Sequence, residues 1–214
     1  RDTGLHLAVG FNRRFAPLYV EMKKRLAWRA SPAVINCRMN SPGISGSYWM
    51  AYQSIGGAIL GEACHFVDLM YWLLDSEPVE VSAYCLPTGK QDPIGENNIV
   101  ASFRFADGSI GNLTYCTVGS RTSGGERVEA FAQGIGIIVD SFKHLTICGT
   151  SKRKRSDLWA RKGYDEQMRF FFRDILEDTN NVADVMDGTR ATICCRKILE
   201  SASAFKPIRI KMEL

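Results

Sequence analysis

The chain has 214 residues, 45% of them hydrophobic and 23% charged, with a formal net charge of +4. This composition is typical of a globular protein with a hydrophobic core, and the charge is too small to indicate nucleic-acid binding by itself. No run of about 18 apolar residues and no signal-peptide pattern occurs, so we expect neither a membrane span nor secretion.

Cysteine usage indicates the compartment. The seven cysteines are an odd number, spread through apolar segments, and none forms a CxxC motif. This pattern is typical of buried, reduced thiols, and we therefore expect a cytoplasmic protein without a disulfide framework. With three histidines and no paired ligand spacing, we expect no metal site.

The first part of the chain alternates between strand and helix patterns. Residues 4–12 form a short apolar run that predicts a strand, and Pro17 opens a helix to about Trp28. A strand at 33–40, a loop at 41–55 and a helix at 58–74 follow. One stripe of the last helix has helical spacing and is predicted to face the core: Leu60, Cys64, Val67, Tyr71 and Leu74.

Closely spaced strands dominate the second part. They are predicted at 79–86, 97–105, 109–118, 126–132, 134–140 and 144–148. The "ADGS" segment at 106–109 predicts a tight turn between antiparallel strands. Two helices follow, at 164–177 and 188–204, and a short strand at 207–212 closes the chain. The first helix is predicted to have one apolar face of Met168, Phe171, Phe172 and Ile175, and the second buries Ala191, Cys194, Cys195, Ile198 and Ala202.

This order predicts an α+β fold with a large, mostly antiparallel open sheet that helices cover on one face. The other face is expected to carry Tyr84, Arg104, Leu113 and Tyr115. Such a face is amphipathic enough to pack on a second subunit, and we therefore expect a homo-oligomer.

Glu62 and His65 are the first candidates for chemistry. Residues three apart are neighbours on a helix, and a histidine beside a carboxylate can move a proton near neutral pH. Gly57, just before them, allows a ligand to approach the helix start. The alternative is a structural histidine whose hydrogen bonding is satisfied by Glu62.

Other polar and aromatic candidates lie nearby in the sequence. Asn12 and Arg13 follow the first predicted strand, where an arginine can bind a carboxylate, a phosphate or hydroxyl groups. They could equally belong to a solvated loop with helix-capping roles. Trp49, flanked by Tyr48 and Tyr52, can stack on a sugar ring or simply anchor its loop.

The segment "SKRKRSDLWARKG" at 151–163 carries six basic residues. It could contact nucleic acid or an anionic ligand. Because no recognition fold surrounds it, we interpret it as an exposed charged loop and expect no nucleic-acid partner.

Three stretches, "VGFNRRFAP", "GGAILGEACHFVDLMYWL" and "FADGSIGNLTY", together resemble the glucose–fructose oxidoreductase / inositol dehydrogenase (Gfo/Idh/MocA) family. The closing "GYDEQMRFFFRDILED" and "DGTRATICCRKILES" are similar to that family's final helices. The resemblance implies that residues 1–29 are a remnant of an N-terminal dinucleotide-binding domain with its crossover helix. Residues 30–214 would be the substrate-binding and oligomerisation domain.

The resemblance also implies a function. Members use NAD or NADP, held mainly by an N-terminal Rossmann domain, to oxidise or reduce a hydroxyl-bearing carbon of a sugar or cyclitol-like substrate. His65 falls on the family's catalytic histidine, whereas the family's aspartate position is Gly61 and the acid here is Glu62. Asn12, Arg13, Trp49 and Gly57 would hold substrate. The alternative function is a non-catalytic ligand-binding or oligomerisation module.

Overall fold

The computed structural model describes residues 5–43, 50, 57–87, 97–149 and 151–212. These residues form a nine-stranded sheet in the order β8-β7-β6-β5-β1-β4-β3-β2-β9. The strands are β1 (Val34–Asn40), β2 (Pro78–Cys85), β3 (Ile99–Phe105), β4 (Ile110–Cys116), β5 (Glu126–Ala132), β6 (Ile135–Asp140), β7 (His144–Cys148), β8 (Arg153–Ser156) and β9 (Ile208–Arg209). Neighbours are antiparallel except β1 and β4, which confirms the predicted fold class.

Within the described residues, four α-helices accompany the sheet: α1 (Pro17–Leu26), α2 (Cys64–Leu74), α3 (Tyr164–Glu177) and α4 (Val185–Ala204). A 3-10 turn at Asn12–Phe15 precedes α1, a π-helical turn at Ile59–Ala63 leads into α2, and a second 3-10 turn spans Arg121–Ser123. Helices α1, α2 and α4 bury their apolar residues in one core with the inner face of the sheet. Among the residues described, no helix is both long and apolar enough to cross a membrane.

The predicted "ADGS" turn is confirmed. Gly108 has a φ of 86°, and the Phe105 N–H donates to the Ser109 carbonyl at 2.9 Å. Glycine adopts this left-handed backbone without a Cβ penalty, so the turn reverses the chain and pairs β3 with β4.

Three segments differ from the sequence-based expectation. Residues 5–11 form no strand, because they have no neighbouring strand in the described structure; Val9 N–H instead donates to the Ala183 carbonyl at 2.8 Å. The charged segment predicted as a loop contains β8, which extends the sheet edge beside β7. Its exposed basic side chains protect that edge from further pairing. At the C-terminus, only Ile208–Arg209 are in a strand.

The core face of α2 was predicted too narrowly. Of the predicted stripe, Val67 and Leu74 are buried, Leu60 and Cys64 are half-buried and pack against the core, and Tyr71 is half-buried. Phe66, Leu69 and Leu73, which the stripe left out, are fully buried. The π-helical turn shifts the phase of the preceding residues, and both α1 and α4 pack on α2, which widens its buried surface.

The predicted apolar face of α3 does not enter the core. Met168, Phe172 and Ile175 are exposed, while Gln167 and Asp174 are buried. The buried polar residues organise neighbouring backbone: Gln167 Nε2 donates to the Val9 carbonyl, and Asp174 accepts four hydrogen bonds from residues 179–182.

The prediction of which residues lie on the open face of the sheet was half correct. Tyr84 and Arg104 lie on it, but Leu113 and Tyr115 are fully buried on the helix-covered face. Side chains alternate along a strand, so Ile110, Asn112 and Thr114 of β4 carry the outward positions instead.

Candidate functional site

A pocket of about 370 Å³ opens between the Asn12–Phe15 turn, the start of α2 and the start of α3. Its volume lies in the range of small-molecule sites, roughly 300–1,000 Å³. Predicted and unpredicted residues line it together: Asn12, Arg13, Met39, Glu62, His65, Gly125, Glu126, Ser141, Phe142, Lys162 and Tyr164. The fold therefore brings together four of the six predicted site residues.

His65 is held in the pocket wall without a hydrogen bond to Nδ1. That atom is buried and has no partner among the described residues. The ring meets Phe11 edge to face, with centroids 5.4 Å apart. Burial, and secondarily the charge of Arg13, lowers the pKa of His65 to about 4. The imidazole is therefore neutral at physiological pH, a state that can accept a proton.

Glu62 does not satisfy His65. Within the described structure its carboxylate accepts a hydrogen bond from the Tyr115 hydroxyl at 2.5 Å, and no hydrogen bond joins it to His65. Glu62 lies in the π-helical turn, an irregularity that frequently occurs at functional sites. The alternative of a structural histidine satisfied by Glu62 is wrong for these residues.

Arg13 and Glu126, which both line the pocket, form a buried ion pair. Arg13 Nε and Nη2 donate to Glu126 Oε2 at 3.0 and 2.7 Å, and the Tyr19 hydroxyl donates to Oε1 at 2.5 Å. The guanidinium also lies 4.5 Å from the centre of the Phe66 ring. Two of its N–H groups are already used, so direct substrate binding by Arg13 stays a prediction that depends on its remaining N–H groups.

Asn12 joins two elements of the site. Its Nδ2 donates to the Lys162 carbonyl at 2.7 Å, while its buried Oδ1 has no partner in the described part of the chain. Asn12 and His65 both line this pocket, and each has one buried polar atom without a hydrogen-bond partner among the described residues. Buried polar atoms are nearly always hydrogen-bonded, which makes such a pair unusual.

The remaining predicted residues lie elsewhere. Gly57 is buried with a φ of 57° and does not line this pocket, so its role in substrate binding stays a prediction. Trp49, with Tyr48 and Tyr52, lies outside the described residues.

Sequence reasoning did not identify Glu126 or Lys162. The signal for Glu126 is a carboxylate directly after a glycine pair, at the first position of an apolar strand. The sequence analysis considered Lys162 only as part of the charged segment at 151–163. Lys162 lies beside the pocket because that segment folds back to the Asn12–Phe15 turn.

A second charged group begins at Arg14 of the Asn12–Phe15 turn. Arg14 donates to Asp68 at 2.9 and 2.5 Å and to Asp187 at 3.1 Å. Arg190 in turn donates to Asp187 and to Glu77, each at 2.8 Å. We call Arg14, Asp68, Glu77, Asp187 and Arg190 the scaffold cluster, and Asn12, Arg13, Glu62, His65 and Glu126 the pocket cluster.

Solved structures share this fold. A levoglucosan dehydrogenase in complex with NADH and levoglucosan superposes with a TM-score of 0.84 at 19% identity, covering 98% of this chain and 67% of that one. An aldose-aldose oxidoreductase from Caulobacter crescentus, complexed with glycerol, gives a TM-score of 0.83 at 17% identity, covering 98% and 65%. At these identities the likeness establishes the fold alone.

Sequence comparison identifies the family. The protein named "Putative oxidoreductase YceM" of Salmonella typhimurium is 40% identical over 73 residues, which are 34% of this chain and 21% of that protein. This chain thus matches about a fifth of YceM. The model of the GFO/IDH/MocA C-terminal domain matches residues 31–138, half of the chain. The chain therefore belongs to the Gfo/Idh/MocA family.

Proposed function

We propose that this chain provides the substrate site of an NAD(P)-dependent oxidoreductase that acts on a hydroxyl group of a sugar or cyclitol-like molecule. The family membership supports an oxidoreductase, and the dehydrogenase with NADH and levoglucosan supports the substrate and cofactor class. The observation that carries the proposal is that Asn12, Glu62 and a neutral His65 line one pocket of small-molecule size.

The lining side chains can hydrogen-bond a polyhydroxylated substrate. Neutral imidazole and amide oxygens accept hydrogen bonds from hydroxyl groups without requiring a charge on the ligand. The pocket therefore suits a molecule that presents several hydroxyl groups.

His65 would carry the proton of the reacting hydroxyl. Because its pKa is lowered to about 4, it begins as a neutral acceptor during oxidation. Its location beside Phe11 limits the access of water, and the nearby Arg13 charge opposes lasting protonation. In the reductive direction the same group would return the proton.

The described residues do not fit the phosphates of a dinucleotide. Arg13, the buried cation of the pocket, is bound to Glu126, and the sequence contains no GxGxxG turn. When bound, a nicotinamide would supply the hydride chemistry. We propose that a separate nucleotide-binding domain of the whole protein holds it, and the assignment of residues 1–29 to that domain stays a prediction.

The His65→Ala change in the whole enzyme tests the proposal. We expect turnover to fall about 10²–10⁴-fold if His65 carries the proton. His144→Ala is the matched control, since His144 is exposed on β7 and bonds to Ser156. Near-normal turnover of His65→Ala would remove His65 from the mechanism.

The open sheet face supports the proposed association of copies. Tyr84 and Val100 are 64% and 53% exposed, and Ile110 is also exposed. Apolar surface of this kind commonly mediates oligomerisation. Light scattering of the chain and of a Val100→Lys variant tests it, because a charge there is expected to weaken the assembly.

A further inference from the structure

We propose that Lys162 is a specificity-determining residue that binds a carboxylate of the ligand at the exposed edge of the pocket, so that the ligand class is sugar acids. The inference rests on the proposed function, because it requires a polyhydroxylated ligand in this pocket. It goes further by assigning a negative charge to that ligand and by naming the residue that recognises the charge.

The backbone of Lys162 is fixed against the Asn12–Phe15 turn. The Lys162 carbonyl accepts a hydrogen bond from Asn12 Nδ2 at 2.7 Å. Gly163 follows with a φ of 88°, and a Cβ there would clash with the Asn12 carbonyl oxygen and the Ala16 amide nitrogen. Glycine permits both the left-handed backbone and this close approach. The two contacts hold the segment before α3 at the pocket and place Lys162 in its lining.

Lys162 is the cation of the described pocket lining that has no carboxylate partner. The other permanent cation there, Arg13, is paired with Glu126, and the side chains of that pair are 8% and 4% exposed. The neighbouring Arg161 is paired with Glu166, whereas no ion pair among the described residues includes Lys162. Because Lys162 is exposed, a ligand can reach its ammonium group without displacing a carboxylate of the protein.

A carboxylate suits this position better than a phosphate. One ammonium group balances the single negative charge of a carboxylate, whereas a phosphate monoester carries about 1.5 to 2 negative charges at neutral pH. The described pocket lining offers no second unpaired cation to balance the rest. The negative charge of Glu62, elsewhere in the lining, also opposes a dianion more strongly than a monoanion.

Ligand-observed NMR titration of the whole protein tests this inference with D-glucose, D-glucuronate and D-glucose 6-phosphate, which share a ring and differ in one terminal group. Ion pairs of exposed lysines are weak, so we expect glucuronate to bind about two- to fivefold more tightly than glucose at low salt. Salt screens such a pair, and the preference should decrease between about 0.01 M and about 1 M salt. A preference that arose from the shape of the pocket would not depend on salt in this way.

Variants of Lys162 separate charge recognition from folding. Lys162→Gln should remove the preference for glucuronate and leave glucose binding unchanged, and Lys162→Arg should retain the preference because it keeps the charge. Lys154→Gln is the matched control, since it removes another exposed lysine of the same basic segment, on β8 and outside this pocket lining. This control should bind all three probes like the wild type.

The outcomes distinguish two failures. If the wild type binds none of the three probes, the proposed sugar-binding function fails and this inference fails with it. If glucose binds and glucuronate binds no more tightly at low salt, the pocket assignment stands and the role of Lys162 is overturned. A preference for glucuronate that persists in Lys162→Gln would also overturn that role. Tighter binding of glucose 6-phosphate than of glucuronate would reject the carboxylate as the recognised group.

Discussion

The pocket cluster and the scaffold cluster each include an arginine of the same short turn and differ in how completely their polar groups are paired. In the scaffold cluster, ion pairs of 2.5–3.0 Å link each arginine to two carboxylates. In the pocket cluster, His65 Nδ1 and Asn12 Oδ1 have no partner among the described residues. Adjacent arginines, Arg13 and Arg14, therefore contribute to regions with different tasks.

The degree of hydrogen-bond pairing in a charged cluster indicates whether the cluster stabilises the fold or binds a ligand. A fully paired network fixes geometry, here by connecting the Asn12–Phe15 turn to α2 and α4. A partly paired one retains hydrogen-bonding capacity that a ligand can use. The scaffold cluster should therefore affect stability, and the pocket cluster should affect ligand binding and pH response.

Removing a carboxylate from the scaffold cluster should have the largest effect on stability. In Asp68→Ala, the half-buried Arg14 loses the partner that binds it twice, and we expect a loss of about 3 kcal/mol in the free energy of unfolding. Urea denaturation measures it. Glu200→Ala, which removes an exposed pair with Lys197, should cost less than about 0.5 kcal/mol. Equal losses would show that the scaffold cluster has no special role.

The pocket cluster should make the free energy of unfolding depend on pH. Folding lowers the pKa of His65 from 6.5 to about 4, so the unfolded chain binds more protons between these values. The contribution of His65 to stability therefore decreases as the pH falls through this window. We expect the unfolding free energy of the wild type, relative to His65→Gln, to fall by roughly 2–3 kcal/mol from pH 7 to pH 4.

Comparison with the variant is necessary because Asp68 acts in the opposite direction. Burial raises its pKa to about 6 despite the hydrogen bonds from Arg14, so its contribution to stability decreases as the pH rises. The difference between wild type and His65→Gln cancels this effect. A pH-independent difference would contradict a neutral, buried His65.

The smallest effect concerns the cap that joins the scaffold cluster to α4. Asp184 accepts hydrogen bonds from the N–H groups of Met186 and Asp187 at 2.8 and 3.1 Å. Asp184→Ala should destabilise the chain by about 1 kcal/mol, and Asp184→Ser should recover most of that loss. Guanidinium unfolding measures both, and a serine variant as unstable as the alanine variant would argue against capping as the cause.

Local patterns predicted much of this fold. The bounds of α1, α3 and the seven central strands follow from apolar periodicity and from turn residues such as Asp107 and Gly108, because these signals act between near neighbours in the chain. The faces of the elements were less predictable. Whether Tyr115 lies on the helix-covered face or on the open face of the sheet depends on the register of β4 beside β1 and β3. Of these two neighbours, β1 is far from β4 in the sequence.

The amino-acid sequence by itself determined the element order, the α+β class and the presence of Asn12, Arg13, Glu62 and His65 as polar residues near predicted element ends. Tertiary structure decided which of them are partnered. Glu126 comes from 113 residues beyond Arg13 to bind it, and Tyr115 comes from 53 residues beyond Glu62. Hydrogen bonds between distant residues depend on packing, and packing is set by the whole sheet and its helices rather than by local sequence.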